Sequence, residues 1–455
     1  MISPKTTAVA VLVSLGALAQ SVLASSTTQL PVPILKDFDN SGVIGGLYRP
    51  NTTTPRSRIA VYVMHAEQDY TSFIGCTELQ KRGFTVFCAN NKASKSGYMS
   101  DLNFEDMMAD VNTGLTWLRN QTDIDKVVIL GHSGGGAMMA QYQNVAENGA
   151  SACNGAEKIY PCSDAMADLE PADGLMLLDA NYGISTMGLL SLNPAIEDEN
   201  DASKLYQSLN IFNTTNGFSN GTQSNYTAAF KQRYQKGVVA RNNRILNYAQ
   251  ERLKAIEAGN GQFRDDEPLT IPAALYIGTN NLYITQDTRV LHRTTYPWTL
   301  LRKNGTTKKV VTSVRTPSTF EDTSNSWENA AIKTTIRRYL STLAVRASDN
   351  FNIKADNLEG IDYESTQMAP ISAIKGVTVP LLTMGMTGHY EYLNAEKTHL
   401  AASKSNDTAI AFVEGAQHGI VTCTDCESYP GEFGDTAATC FNYIEDWLSK
   451  SGRFL

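Results

Sequence analysis

The clearest chemical motif in the sequence is a serine among glycines, Gly131-His132-Ser133-Gly134-Gly135. A serine hydroxyl is a weak nucleophile unless it stands clear of its neighbours and faces a general base. A sharp turn from a strand into a helix achieves this, and it admits only small residues two positions before and two after the serine. The motif meets that requirement and follows an apolar run of strand composition. We therefore predict Ser133 as a nucleophile, with the backbone N–H of Gly134 donating to the oxyanion that attack creates.

His418 has the sequence context expected of the matching general base. It follows the apolar run at 409–413 by a short loop, and the other five of the six histidines lack that context. We predict that it takes the proton of Ser133 and returns it to the leaving group. His132, inside the serine motif, is expected to pack behind the site and not to contact the serine hydroxyl.

The carboxylate that would orient His418 stays open among three candidates. Glu391 is the first choice, because it lies a few residues after the apolar run 379–385, where resemblance to a known family implies the acid, and no Asp occurs nearby. Glu396 is an alternative that could instead cap or line the next helix. Asp179 ends another apolar run, a position where an Asp often binds neighbouring backbone amides.

The segments that must position these residues alternate between strand and helix patterns. Apolar side chains within 104–119 recur at spacings of three and four, as in an amphipathic helix. Strands that are apolar throughout imply a mostly parallel sheet covered by helices on both faces. The predicted strands are 58–64, 84–89, 126–130, 174–178, 379–385 and 409–413, with a hairpin over 297–315 and helices at 72–82, 104–119, 228–257, 328–346 and 436–450.

This order of segments, the glycine-flanked Ser133 and the late His418 segment resemble the α/β-hydrolase superfamily, and within it secreted microbial serine hydrolases with a long cap insertion. The resemblance covers roughly residues 50–180 and 375–450. It implies an α/β fold, in which a mostly parallel central sheet is flanked by helices and carries a large, mostly helical cap. It also implies the backbone N–H of Ala66 as the second oxyanion donor, although relatives carry Gly at that position.

Four segments follow from this organisation. We expect a signal peptide over 1–24, the first part of the hydrolase core over 25–180, a cap or lid over 181–370, and the second part of the core over 371–455. The leader has one positive charge, a short apolar stretch and small residues ending at Ala24, which is typical of cleavage and secretion. No stretch approaches the roughly 20 apolar residues that a membrane-spanning helix needs.

Glycosylation signals and cysteines agree with secretion. In an oxidising compartment the seven cysteines are expected to form disulfides, with at least one thiol left unpaired. Cys153 and Cys162 flank a short loop and are the expected local pair. At Cys423-x-x-Cys426 we expect structural disulfide bonding and not half of a zinc site, and the pairing among Cys423, Cys426 and Cys440 stays open. The Asn-x-Ser/Thr sequons lie at Asn51, Asn120, Asn213, Asn220, Asn225, Asn304 and Asn406.

Charge and composition limit the classes of substrate and binding partner that we expect. The net charge is -8 and no block of Lys or Arg occurs, so the sequence gives no basis for nucleic-acid binding and favours a small neutral or apolar substrate. No metal-ligand spacing and no cofactor motif are recognised, so we expect neither a metal nor a cofactor. The sequence leaves the oligomeric state open.

The predicted reaction is hydrolysis of a carboxylic ester or lactone through an acyl-serine intermediate. One alternative is acyl transfer to an alcohol, because only the exclusion of water separates the two outcomes. Another is tailoring of a secondary metabolite, such as a polyketide-type lactone or ester. Epoxide opening is disfavoured because relatives with that activity carry Asp where this chain has Ser133. A catalytically inactive binding protein is the remaining alternative.

Overall fold

The structure is a computed structural model that describes residues 31–39, 41–95, 101–274, 282–318 and 331–455. The expected signal peptide over 1–24 lies outside the described residues, as does the start of the helix predicted over 328–346.

Strands occur along the whole described part of the chain. They are β1 (Ile34–Asp37), β2 (Ile44–Tyr48), β3 (Ile59–His65), β4 (Thr85–Asn90), β5 (Lys126–His132), β6 (Gly174–Leu178), β7 (Ile196–Asp198), β8 (Asp201–Leu205), β9 (Pro268–Pro272), β10 (Arg293–Arg302), β11 (Gly305–Thr312), β12 (Ala331–Thr335), β13 (Arg346–Ile353), β14 (Leu358–Asp362), β15 (Leu381–Met386) and β16 (Thr408–Val413).

The helices vary from single turns to one of 30 residues. They are α1 (Ile74–Lys81), α2 (Phe104–Arg119), α3 (Gly134–Asn148), α4 (Ile184–Ser191), α5 (Ala228–Glu257), α6 (Leu282–Gln286), α7 (Ile336–Arg338), α8 (Pro370–Ala373), α9 (Asn394–Ala401) and α10 (Thr436–Leu448).

A ten-stranded sheet in the order β1-β2-β4-β3-β5-β6-β15-β16-β10-β11 forms the centre of the molecule. The strands from β4 to β10 in this order pair in parallel, while β1, β2 and β11 pair antiparallel at the two edges. Along β3, Tyr62 and Met64 belong to one buried apolar cluster, and Val61 and Val63 belong to another. The sheet therefore buries both faces, which explains why its inner strands are apolar throughout. The fold class predicted from the sequence is confirmed.

The hairpin predicted over 297–315 is present as β10 and β11, but it belongs to the central sheet. Thr299, Leu300 and Leu301 pair in parallel with β16, so the hairpin extends the sheet past its last parallel strand. The segment 181–370, expected as a cap, thus contributes two strands to the core. The other described residues of that segment include helices such as α5 and separate two-stranded sheets, β12-β9, β13-β14 and β7-β8.

The helix predicted over 328–346 is wrong at residues 331–335, while helical structure is present from Ile336 to Leu343. Residues 331–335 form β12, which pairs antiparallel with β9, and helical structure begins only at Ile336. The sequence Ala-Ile-Lys-Thr-Thr of β12 is rich in β-branched residues, which suit a pleated strand better than a helix. At residues 331–335, pairing with β9 therefore outweighs the local pattern that predicted a helix.

Three disulfides join Cys76 to Cys88, Cys153 to Cys162 and Cys423 to Cys426. The expected pair Cys153–Cys162 is therefore confirmed, and among the three C-terminal cysteines it is Cys423 and Cys426 that pair. The one remaining thiol is that of Cys440, which is buried in the core. Among the described residues, no helix combines the length and apolar composition required to traverse a bilayer.

Candidate active site

Ser133 occupies the sharp turn between β5 and α3. Its backbone has φ 56° and ψ -128°, a left-handed conformation that is strained for any residue with a side chain. Its carbonyl accepts from the Asn181 N–H at 3.1 Å, and its N–H donates to the Leu178 carbonyl at 3.3 Å. These bonds join the turn to the end of β6, so strand β6 holds the strained serine in place.

The glycines around Ser133 are required by close backbone contacts. A Cβ on Gly131 would lie 2.4 Å from the Gly135 carbonyl oxygen. A Cβ on Gly135 would lie 2.5 Å from the Met64 carbonyl oxygen at the end of β3. Real Cβ contacts are longer than this, so the turn forms only with glycine at both positions, as the motif predicted.

His418 and Asp179 form a hydrogen-bonded pair beside this turn. The His418 Nδ1–H donates to Asp179 Oδ2 at 2.6 Å. The other carboxylate oxygen, Oδ1, accepts from the Met386 N–H at 2.8 Å, and Asp179 is fully buried. Asp179 has φ 42°, so the chain turns immediately after β6 and directs the carboxylate at the imidazole. With its proton on Nδ1, the imidazole has its other nitrogen, Nε2, available to accept a proton.

Asp179 and His418 each stabilise the charged form of the other. Burial opposes ionisation of Asp179, but hydrogen bonds from His389 and His418 outweigh it and hold the pKa of Asp179 well below its usual range. Burial likewise opposes protonation of His418, but the charge of Glu391 and the bond to Asp179 raise the pKa of His418 to about 9. Asp179 therefore stays ionised and stabilises the imidazolium that forms when His418 accepts a proton.

Glu391, the first choice from the sequence, does not bond to Nδ1 of His418. Its Oε2 lies 3.6 Å from Nε2, on the opposite edge of the ring. The carboxyl is 4% exposed, and Oε2 has no hydrogen-bond partner among the described residues. Burial raises the pKa of Glu391 to about 7, although the positive charge of His418 opposes that rise. The structure thus places Asp179, the alternative at the end of β6, where Glu391 was expected.

Glu396, the other alternative, belongs to a structural contact away from His418. Its carboxylate accepts from the backbone N–H groups of Thr295 and Tyr296, and from the Trp298 indole N–H at 2.7 Å. All three donors lie on β10. The fully buried Glu396 therefore fastens α9 to the hairpin at the edge of the sheet.

His132 fixes the loop that carries His418. Its Nε2 lies 2.6 Å from the His418 carbonyl oxygen, and its Nδ1 lies 2.5 Å from the Tyr70 hydroxyl. Burial and the nearby charge of His418 lower the pKa of His132 to about 3, so the ring is neutral. A neutral ring donates from Nε2 to the carbonyl and accepts the Tyr70 proton at Nδ1. His132 thus positions its neighbour from behind, as the sequence predicted.

The loop after β3 lies against the start of α3, where an oxyanion would be bound. Ala66 is fully buried and its carbonyl accepts from the Asn91 side-chain amide at 2.9 Å. The next residue, Glu67, is the one that approaches Gly134, since a Cβ on Gly134 would lie 3.0 Å from Glu67 Oε2. Sequence reasoning missed Glu67. The available signal was an acidic residue directly after His65-Ala66.

Four donor atoms at this site lie close enough together to hold a cation. One ligand atom each from Asp179, His389, Glu391 and His418 lies within 4.8 Å of the others. Two of them already form the short Asp179–His418 hydrogen bond, while His389 Nδ1 is 3.4 Å from the same carboxylate. A cavity of about 300 Å³ opens beside His389 and His418.

Strand order, the strained turn at Ser133 and the chain order Ser133, Asp179, His418 together define the α/β-hydrolase fold. These three residues come from the carboxyl ends of strands or from the loops that follow them. This is the edge of a parallel sheet where ligands bind.

Comparisons with known proteins find similarity in structure only. No protein-family model matches the chain, and no curated protein matches it. It is similar to a soluble variant of monoglyceride lipase from Saccharomyces cerevisiae (12% identity, TM-score 0.39, covering 93% of this chain and 96% of that chain). A siderophore hydrolase from Aspergillus fumigatus gives 12% identity and a TM-score of 0.41, covering 93% and 98%. A carboxyl esterase from Tuber melanosporum gives 10% identity and 0.39, covering 94% and 89%. Similarity at this level does not extend to a substrate or to residue roles.

Proposed function

We propose that the protein is a secreted serine hydrolase that cleaves a carboxylic ester or lactone of a small neutral or apolar molecule. The observation that carries the proposal is the meeting of two features at one edge of the sheet. One is the strained turn that presents Ser133, and the other is the 2.6 Å hydrogen bond between Asp179 and His418. Together they supply a nucleophile, a base and the group that orients the base.

The reaction proceeds through an acyl-serine intermediate. The hydroxyl oxygen of Ser133 attacks the substrate carbonyl carbon as its proton passes to His418 Nε2. The Gly134 N–H, at the start of α3, stabilises the oxyanion. His418 then protonates the leaving oxygen, the acyl–oxygen bond breaks, and water deacylates Ser133 by the same steps in reverse. Asp179 stays ionised throughout and holds the imidazolium in place.

Secretion is part of the proposal. Three disulfides suit an oxidising compartment. The sequon asparagines lie at the surface, and the side chains of all but Asn213 are exposed, so a glycosyltransferase could reach them. Mass spectrometry of the secreted protein before and after glycosidase treatment tests this part independently of activity.

The decisive experiment uses p-nitrophenyl esters of graded chain length with wild type and Ser133→Ala. We expect the variant to lose turnover by about 10⁴-fold or more while keeping its fold. Ser151→Ala, which removes an exposed hydroxyl outside the site, is the matched control and should keep wild-type rates. Equal turnover of wild type and Ser133→Ala would refute the assignment.

Two further measurements separate the alternatives. Adding excess alcohol to the ester assay compares the ester formed with the acid released, and a dominant ester product would indicate acyl transfer. A fluorophosphonate probe should label Ser133 in the wild type. Absence of both labelling and turnover would indicate a binding protein.

A further inference from the structure

Glu67 is a buried acid at the place where the oxyanion would form. Its side chain is 3% exposed. A Cβ on Gly134 would lie 3.0 Å from Glu67 Oε2 and 3.2 Å from Oε1, so the carboxyl fills the space beside Gly134. Gly134 is the residue whose N–H points at the oxyanion in the proposed reaction. The Glu67 carboxyl therefore lies against the residue whose N–H would bind the oxyanion.

One oxygen of the Glu67 carboxyl lacks a partner. Among the described residues, Oε2 has no hydrogen-bond partner, and no cation lies within ion-pair distance of Glu67. Lys95, whose charge acts on Glu67, donates to Asn91 Oδ1 at 2.5 Å. A buried polar atom left unpaired is costly, and such groups in a site commonly await a ligand.

The protonation state of Glu67 follows from its surroundings. Burial raises the pKa of Glu67 to about 8; the charge of Lys95 opposes this, and that of Glu391 adds to it. Of the other titratable groups nearby, burial holds the pKa of His65 far below its usual range and raises that of Tyr70, so both are neutral at pH 7. At neutral pH the carboxyl therefore carries its proton and is a hydrogen-bond donor.

Two backbone N–H groups after β3 already donate to a side chain and are not available to a substrate. The N–H groups of Glu67 and Gln68 both donate to His65 Nδ1, at 3.1 and 2.9 Å. These bonds fix the loop and leave neither amide to serve an oxyanion. The Ala66 N–H predicted from the sequence and the Glu67 side chain are the groups of this stretch that can complete the site.

We propose that the neutral carboxyl of Glu67 is a catalytic hydrogen-bond donor in the oxyanion hole, acting with the Gly134 N–H on the substrate carbonyl oxygen. Its proton stays on Glu67. As the Ser133 oxygen bonds to the carbonyl carbon, the π electrons move onto the carbonyl oxygen, and both donors hold the resulting charge. When that charge returns to re-form the carbonyl, the leaving oxygen departs with the proton from His418. This inference rests on the proposed function, which it deepens.

The experiment compares kcat and KM of wild type, Glu67→Ala and Glu67→Gln between pH 5 and 10 with one p-nitrophenyl ester. Glu67→Ala removes the donor, so kcat falls about 10²- to 10³-fold while KM changes little. Glu67→Gln keeps an N–H donor of similar shape that does not ionise. Its kcat stays within about tenfold of wild type, and the alkaline decline of the wild type, which begins above the pKa values of both Glu67 and His418, disappears. Glu251→Gln, on the exposed side of α5, is the control for the same substitution elsewhere.

The outcomes separate this inference from the proposed function. If Ser133→Ala retains turnover, the serine mechanism fails and the role of Glu67 fails with it. If Ser133→Ala is inactive but Glu67→Ala keeps wild-type kcat, only the role of Glu67 fails. It is equally overturned if Glu67→Gln loses as much kcat as Glu67→Ala, or if it keeps the alkaline decline. Circular dichroism of each variant identifies any loss of fold, and the isosteric Glu67→Gln decides the matter if Glu67→Ala unfolds.

Discussion

We expect Glu391 to set the pH at which His418 acts as the proposed base. Its Oε2 lies 3.6 Å from His418 Nε2, the nitrogen that must accept the Ser133 proton. A negative charge at this distance stabilises the imidazolium, which is the inactive form of the base. Glu391→Gln removes that charge and should lower the pKa of His418 from its value of about 9.

The size of this change in pKa follows from the distance. At 3.6 Å, two unit charges interact with about 1 kcal/mol at the dielectric constant of water and about 5 kcal/mol at an effective value of 20. A change of one in pKa corresponds to about 1.4 kcal/mol, so the pKa of His418 should fall by roughly 1 to 3. The His418 side chain is 30% exposed, which favours the lower part of that range. We expect the pKa to fall by about 1 to 2.

Activity at mildly alkaline pH should increase in this variant. The proposed reaction requires neutral His418, so the rate rises as pH increases through the pKa of His418. In Glu391→Gln this ascending limb of kcat/KM moves to lower pH. Because the pKa of Glu391 is about 7, wild type carries its negative charge mainly above pH 7. The variant should therefore be faster than wild type between about pH 7 and 9, and similar to it below pH 6 and at the alkaline end.

The assay is the pH profile of kcat/KM together with the pH dependence of fluorophosphonate labelling of Ser133, which involves no natural substrate. Glu414→Gln removes the same charge from a carboxylate that Arg302 holds at 2.6 Å, and should leave the ascending limb in place. An unchanged ascending limb in Glu391→Gln, by both measurements, would contradict the role given to Glu391.

Two further substitutions separate the remaining carboxylates by function. Asp179→Asn should lower kcat by about 10⁴-fold with little change in melting temperature, because an amide no longer fixes the Nδ1–H tautomer of His418; wild-type kcat would show that another group orients the base. Glu396→Gln should leave the pH profile unchanged but lower the free energy of unfolding by about 2 kcal/mol, measured by urea denaturation, because an amide cannot replace all acceptor bonds to β10. A stability equal to wild type would argue against the structural role of Glu396.

The fold could be predicted from local patterns because they agree with the tertiary structure in the core. Apolar runs predicted β3 to β6, β15 and β16 to within about two residues, and the periodic segment 104–119 is α2. The helix starts there because the Asn103 side chain accepts from the Asp106 N–H, a cap that is local in sequence. The segment 328–346 failed because its partner strand β9 lies far away along the chain.

The site was predictable where the constraint is local and not where it depends on side-chain direction. Glycine spacing marks the turn at Ser133, since the clashes that exclude larger residues lie within that turn and the adjacent strand. The choice between Asp179 and Glu391 depends on which edge of the His418 ring each reaches, and sequence distance carries no such information. Glu67 likewise becomes visible only when the loop after β3 folds over Gly134.

The hairpin β10–β11 has a consequence for biosynthesis. Strand β10 leaves the ribosome before β16, the strand it pairs with, and β16 also separates it from β15 and β6 in the finished sheet. Until residues 381–413 emerge, both β6 and β10 expose unpaired backbone edges, which are templates for self-association. A nascent or truncated chain lacking its last 75 or so residues would thus need chaperones. The strands that are synthesised last complete the sheet, and the loop that follows them places His418 in the site.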